Sequence, residues 1–359
     1  MKRRQFLTAA AATGVASTLA APAIASGKRN LRMVTTWPKG AAGVGTSAQR
    51  AADFITQASD GRLNVRVYGA GELVPPFEAL DAVQSGTVEM CHSTPYYWVG
   101  KAKALNYFTT IPFGLTAVEL ASWLYHGDGQ ALWEEVYKPF GVVPFYAGNS
   151  GVQAGGWFNK EINSVADLEG LKFRIAGLGG EVMRRMGVTV VMTPPGDILP
   201  SIMSGAVDAA EWVGPWNDIA FGLFKAAKYY YMPAFHEPGP GLEVLMNADV
   251  YAELSKADQA LIRIACSACA NESLTEFQYH NIQSFPRLET EYNVQIRKFP
   301  DDVLHKLAET TKVAVEELGK ADPMTAKVHA SYMDFLKKAH AYNRVMDQEM
   351  LRMREIAFG

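Results

Sequence analysis

Cysteine is scarce in this chain: three thiols, Cys91, Cys266 and Cys269, in 359 residues. Three cannot build the disulfide framework that staples small secreted domains. The Cys266–Cys269 spacing also lacks the second pair or neighbouring His of a structural zinc site, so these thiols read as packed core. Long apolar runs are missing too. After residue 25 nothing reaches the roughly 18 uninterrupted apolar residues of a membrane-spanning helix. Basic charge is in deficit, with 34 Lys and Arg against 37 Asp and Glu, which argues against the cationic footprint that nucleic acids require. Catalytic signatures are absent as well. There is no Gly-x-Ser-x-Gly elbow, no His-Glu-x-x-His pair and no dinucleotide fingerprint after the first strand. An exported hydrolase or oxidoreductase would have to use a solitary His92, His126 or His236 as its base, so the chain reads as a non-enzyme.

What is present begins with Lys2, Arg3 and Arg4, followed by an Ala-rich apolar run ending in Ala23-Ile24-Ala25. That is an export signal over residues 1–25, and Arg3-Arg4-Gln5-Phe6-Leu7 resembles the twin-arginine type. The expected location is the periplasm. Taking those three cations from 34 leaves 31 basic against 37 acidic residues, a formal charge of −6. Such a chain has room for one local cationic site.

Beyond the signal, Leu31–Trp37 reads as a strand, Ser47–Ser59 as a helix, Leu63–Tyr68 as an alternating strand, Phe77–Ser85 as a helix and Val88–Ser93 as a strand. The rhythm restarts at Val142–Tyr146 and continues through the strand Leu171–Ile175, a Gly-rich turn and a helix from Gly180 to Met186. An α/β fold of two lobes with a cleft between them follows. Helical patterns then run over Ser255–Phe277, Pro300–Lys320 and Ala321–Ile356. The last is longer than one lobe can cover, so it braces both lobes or packs on another subunit.

The chemistry concentrates between Gly148 and Pro215. Gly148-Asn149-Ser150-Gly151-Val152-Gln153-Ala154-Gly155-Gly156-Trp157-Phe158 sets two amides among four glycines, a loop that lets a ligand approach the backbone or a turn with solvated amides. Arg174 ends the strand Leu171–Ile175, where its guanidinium can hold a carboxylate through two parallel hydrogen bonds. Glu211 and Trp212 end another short strand. A carboxylate among Ala, Trp and Val is costly to bury alone and calls for a cation, either a metal or Arg174.

Together with Gly71-Glu72-Leu73-Val74-Pro75, Gly86-Thr87-Val88-Glu89, Cys91-His92, Ile111-Pro112-Phe113 and Glu211-Trp212-Val213-Gly214-Pro215, these segments resemble the substrate-binding proteins of tripartite ATP-independent periplasmic (TRAP) transporters, in the branch that binds 2-oxo acids or lactate. The resemblance covers essentially the whole chain after the signal. It implies the two-lobed periplasmic binding protein fold (type II-like) with hinge strands and a long C-terminal helix, with residues 28–150 plus 239–282 in lobe I and 151–238 plus 283–359 in lobe II. It further implies that Arg174 pairs with the substrate carboxylate. Gln153, Glu211 and the Trp212 carbonyl would hold a sodium or calcium ion that the substrate also touches, and Asn149 and Tyr97 would line the cavity. Oxygen-only ligands suit those hard ions and disfavour zinc. The implied partners are a small organic acid, the small and large membrane subunits of a transporter, and a second copy through the C-terminal helix. Phe235-His236 departs from the large paired aromatics of the family beside Glu237. A C4-dicarboxylate or sugar acid is the alternative ligand, although a dicarboxylate would need a second cationic group.

Overall fold

The computed structural model describes residues 27–359, so the export signal expected over residues 1–25 lies outside the described residues. Eleven strands form two sheets among the described residues. The first contains β1 (Arg29–Thr35), β2 (Leu63–Tyr68), β3 (Met90–Ser93), β4 (Val142–Asn149) and, from later in the chain, β10 (Gly241–Asn247), in the order β2-β1-β3-β10-β4. The second contains β5 (Gly156–Phe158), β6 (Lys172–Arg174), β7 (Thr189–Val191), β8 (Ala209–Ala210), β9 (Tyr229–Tyr231) and β11 (Gln295–Arg297), in the order β11-β9-β5-β8-β6-β7. β1, β2 and β3 are parallel, and β10 runs antiparallel between β3 and β4. The two-lobed α/β architecture expected from the strand rhythm is thus present.

The main helices are α1 (Val44–Ala58), α2 (Ala117–His126), α3 (Gly129–Tyr137), α4 (Gly177–Arg185), α5 (Pro215–Phe221), α6 (Lys256–Thr290), α7 (Asp301–Leu318), α8 (Pro323–Asn343) and α9 (Asp347–Phe358). Apolar spacing explains α1, whose Ala48, Ala51, Ala52 and Ile55 form one buried face. Several boundaries differ from the sequence reading. α4 starts at Gly177 and not at Gly180, because Gly177 adopts φ +62° and opens the helix directly behind β6. α6 continues past Phe277 through Pro286 to Thr290, 35 residues or about 52 Å long. The expected helix over Ala321–Ile356 is interrupted at residues 344–346, where Met346 leaves helical geometry (φ −108°, ψ −83°).

The chain crosses between the sheets at residues 150–155 and 232–240, and again along α6. The two crossings run side by side, with Gln153 N donating to Glu237 O (3.1 Å) and Ala234 N to Gln153 O (2.9 Å). α7 packs on α4, while α8 lies against α2 and α3.

Candidate ligand-binding site

The carboxyl ends of β6 and β8 meet the two crossings, and nearly every polar group there is buried. Arg174 is 1% exposed. Its Nη1 donates to Glu211 Oε1 (2.5 Å) and to the Glu211 carbonyl (2.8 Å), while Nη2 reaches Thr193 O (3.2 Å). Ala176 N donates to the same Glu211 oxygen (3.2 Å). β6 and β8 are parallel neighbours with Arg174 opposite Ala210, which is why residues 37 apart in sequence are bonded. Burial, the largest single influence, would lower the Arg174 pKa, but Glu211 together with Tyr97, Tyr96 and Glu237 outweighs it and raises the guanidinium.

Glu211 Oε2 has no partner. Within 4.8 Å of one another lie a ligand atom each from Glu211, His236 and Glu237, all buried. His236 Nε2 is 3.8 Å from Glu211 Oε2, and neither imidazole nitrogen nor either Glu237 oxygen has a hydrogen-bond partner. Burial, reinforced by the Glu211 charge and opposed by Arg174, pushes the Glu237 carboxyl well above its ordinary range. Gln153 fixes its amide nitrogen on Ser150 Oγ (2.9 Å) and leaves Oε1 unpartnered.

From the first sheet come Tyr96 and Tyr97, in the 3-10 turn Pro95–Trp98. The Tyr97 hydroxyl is buried without a partner, and its pKa is raised by burial against the pull of Arg174. Tyr96 packs on bare Gly177, where a Cβ would come within 2.4 Å of its ring. Trp37 sits 6.3 Å from Trp212, centroid to centroid, and joins the two walls. Sequence reading missed Trp37, Tyr96 and the position of His236 next to Glu211. Trp37 ends the predicted first strand, which in an α/β sheet points at a cleft, and that signal could have flagged it.

The structure brings Arg174, Gln153, Glu211, Trp212 and Tyr97 to this one place. Asn149 is committed elsewhere: its Nδ2 donates to Gly239 O (2.9 Å) and its Oδ1 accepts from Gly151 N (2.8 Å), so it ties the two crossings together. Of the three histidines weighed as bases, His126 is exposed. His92 is fully buried, accepts from Trp37 Nε1 (2.9 Å) and is driven down to about 3 by burial. His236 is in the cluster. No described helix is long and apolar enough to cross a membrane.

Comparison with known proteins bears on the family and the fold. Residues 34–322 match the family model described as bacterial extracellular solute-binding protein, family 7. A monocarboxylate 2-oxoacid-binding periplasmic protein of Nostoc sp. is 39% identical over 353 residues, 96% of each chain. A TRAP transporter solute-binding protein of Bordetella bronchiseptica, a mixed-occupancy dimer with copurified calcium and picolinate in one active site, superposes with a TM-score of 0.90 at 33% identity, over 92% of this chain and 98% of that one. A TRAP periplasmic solute-binding protein of Pseudoalteromonas atlantica with bound sodium and pyruvate gives 0.88 at 35% identity, over 90% and 99%.

Proposed function

The chain belongs to family 7 of the bacterial extracellular solute-binding proteins, and from that premise we propose that it captures a small 2-oxo or 2-hydroxy monocarboxylate, of the pyruvate, 2-oxobutyrate or lactate type, together with a cation. It is the solute-binding component of a TRAP transporter and works with that transporter's membrane subunits. One observation carries the finer reading: the single guanidinium of Arg174 faces two buried carboxylates, Glu211 and Glu237, whose remaining oxygens have no partners. With the Glu237 carboxyl pushed well above its ordinary range, a substrate carboxylate would add a second negative charge beside Glu211. In a dry cleft one Arg, already bonded to Glu211, cannot offset both.

The donor set fits a hard ion. Gln153 Oε1 and Glu211 Oε2 are buried oxygens without partners, and together with the Trp212 carbonyl they would hold sodium or calcium. When bound, such an ion supplies positive charge between the protein and substrate carboxylates. Arg174 orients the substrate carboxylate through its outward donors, and Tyr97 closes the cavity from the first sheet. Picolinate and pyruvate, bound by the two structural relatives, share a carboxylate next to a donor atom at the adjacent carbon, the geometry that chelates a cation. A dicarboxylate is disfavoured because Arg174 is the cationic side chain acting on Tyr96, Tyr97 and Glu237.

Native mass spectrometry of protein purified without added ligand tests this reading. The expected spectrum shows an added mass equal to one small acid plus one cation. A retained dicarboxylate, or an acid retained with equal affinity after chelation in sodium-free buffer, overturns it.

The same reading includes a homodimer. α9 has no buried residue and exposes Met350, Leu351, Met353, Ile356 and Phe358, an apolar set that a second copy would cover.

A further inference from the structure

His236 stands beyond the oxygen donors named above, and its surroundings give it a role of its own. The segment that carries it is pinned from both sides. Phe113 N donates to Phe235 O (2.8 Å), Thr110 Oγ1 to His236 O (3.3 Å) and Gln153 N to Glu237 O (3.1 Å). The imidazole fits because residue 179 is glycine: a Cβ there would lie 2.5 Å from His236 Cβ. A buried imidazole with two unpartnered nitrogens costs free energy unless something in the site pairs with it.

We propose that Glu211, His236 and Glu237 form a mixed nitrogen–oxygen ligand set, so that this site accepts a borderline divalent cation such as Mn2+ or Zn2+ as well as a hard one. The geometry behind the assignment is the 4.8 Å cluster of three buried ligand atoms, with five of their polar atoms unpartnered. Two carboxylates and an imidazole are a common ligand set for first-row divalent ions, because the nitrogen raises affinity along the series from Mn2+ to Zn2+ while leaving Ca2+ little affected. Charge also favours a divalent ion. Metal ligation requires deprotonated carboxyls and a neutral imidazole, so in the ligated form Arg174 against Glu211 and Glu237 leaves one net negative charge, which a divalent ion and a monocarboxylate bring to neutrality. The inference rests on Glu211 being a cation ligand, as the proposed function has it.

The test uses the full chain, stripped with a chelator and titrated with Ca2+ or Mn2+ in the presence of pyruvate, as wild type, His236→Gln and Glu211→Gln. Mn2+ should bind one ion per chain, be displaced by Ca2+, and lose at least ~10-fold in affinity in His236→Gln while Ca2+ changes by less than ~3-fold. Pulsed electron paramagnetic resonance of the Mn2+-loaded wild type should show nitrogen modulation, a readout independent of how the variant folds. Bound, Ca2+-displaceable Mn2+ without a nitrogen signal overturns the proposal, as does a His236→Gln variant that weakens both ions equally; either result leaves the oxygen-ligand cation intact. Indifference of every cation to Glu211→Gln removes the cation position itself and the proposal with it.

Discussion

Arg174 has one end committed and one end available. Nη1 is held by Glu211, whereas Nη2 has only the longer contact to Thr193 O. A lysine would keep the charge but could not bond Glu211 and a substrate carboxylate in fixed directions at once. Arg174→Lys should therefore weaken pyruvate binding by on the order of 100- to 1000-fold or more, about 3–5 kcal/mol, in calorimetry. A loss below about fivefold would place Arg174 outside the site. Glu211→Gln carries a different expectation. If acid and cation are linked through this residue, both affinities must fall together and by the same coupling factor. Calorimetric titration of each in the presence and absence of the other measures that factor. A variant that loses cation affinity while its acid affinity with the cation present stays at the wild-type value would break the linkage. Both residues were legible in the sequence, since a strand-end Arg and a carboxylate among apolar neighbours each demand a partner. Their partnership with each other was left open there, because burial and pairing are set by β6–β8 register and not by local spacing.

At the scale of elements, two buried carboxylates hold the walls of the site. Asp218 on α5 accepts from Val213 N and Gly214 N (both 3.1 Å), from Trp157 Nε1 (2.8 Å) and from the Tyr230 hydroxyl (2.7 Å), fixing the turn that follows Trp212. Glu243 on β10 accepts from Trp98 Nε1 (2.9 Å) and the Tyr137 hydroxyl (2.9 and 3.0 Å), fixing the turn that carries Tyr96 and Tyr97. Burial drives the Glu243 carboxyl from 4.5 up to about 8, against the pull of its two donors. Its native form thus keeps a proton between those values while the unfolded chain has released it. Stability contributed by this group is therefore complete below the unfolded value and declines as pH rises towards about 8. Thermal melting from pH 5 to 9 should show a falling midpoint over this range, with a flatter slope in Glu243→Gln. Parallel slopes in the two proteins would remove Glu243 as the cause. The Glu243 contacts lie more than 100 residues away in sequence, which is why no local pattern announced them.

At the scale of the whole molecule, helices bind the two sheets into one body. α6 packs on β4 and α1 near its start, on α5 further along, and reaches β11. α8 anchors to the first sheet's side through Tyr332, whose hydroxyl accepts from Leu115 N (2.9 Å) and whose ring meets Trp123 edge-on. Among the described residues α9 has no such anchor. Truncation after Asn343 should leave pyruvate affinity within about twofold and convert a dimer to a monomer in light scattering at micromolar concentration. A full-length chain that is monomeric under the same conditions would assign α9 no role in self-association.

Local chemistry determined much of this protein in advance. The alternation of strand and helix periods dictated two α/β units, the Gly-rich segment between Gly148 and Gly156 with its Gln153 amide stood out as a loop that a ligand can approach, and Arg174 and Glu211 advertised themselves as polar groups at strand ends. These are properties of residues a few positions apart, and the backbone's two periodicities make them readable. Tertiary structure alone decided the rest. It let α6 continue beyond Phe277, because α5 and β11 supply a surface for turns that are polar by composition. It turned the Asn149 amide to backbone groups on both crossings and set Trp37 against Trp212. It also placed His236, 25 positions after Glu211 in sequence, within reach of that carboxylate. The energy of a buried polar group depends on which distant atoms enclose it, and that is fixed only when the sheets and their crossings come together.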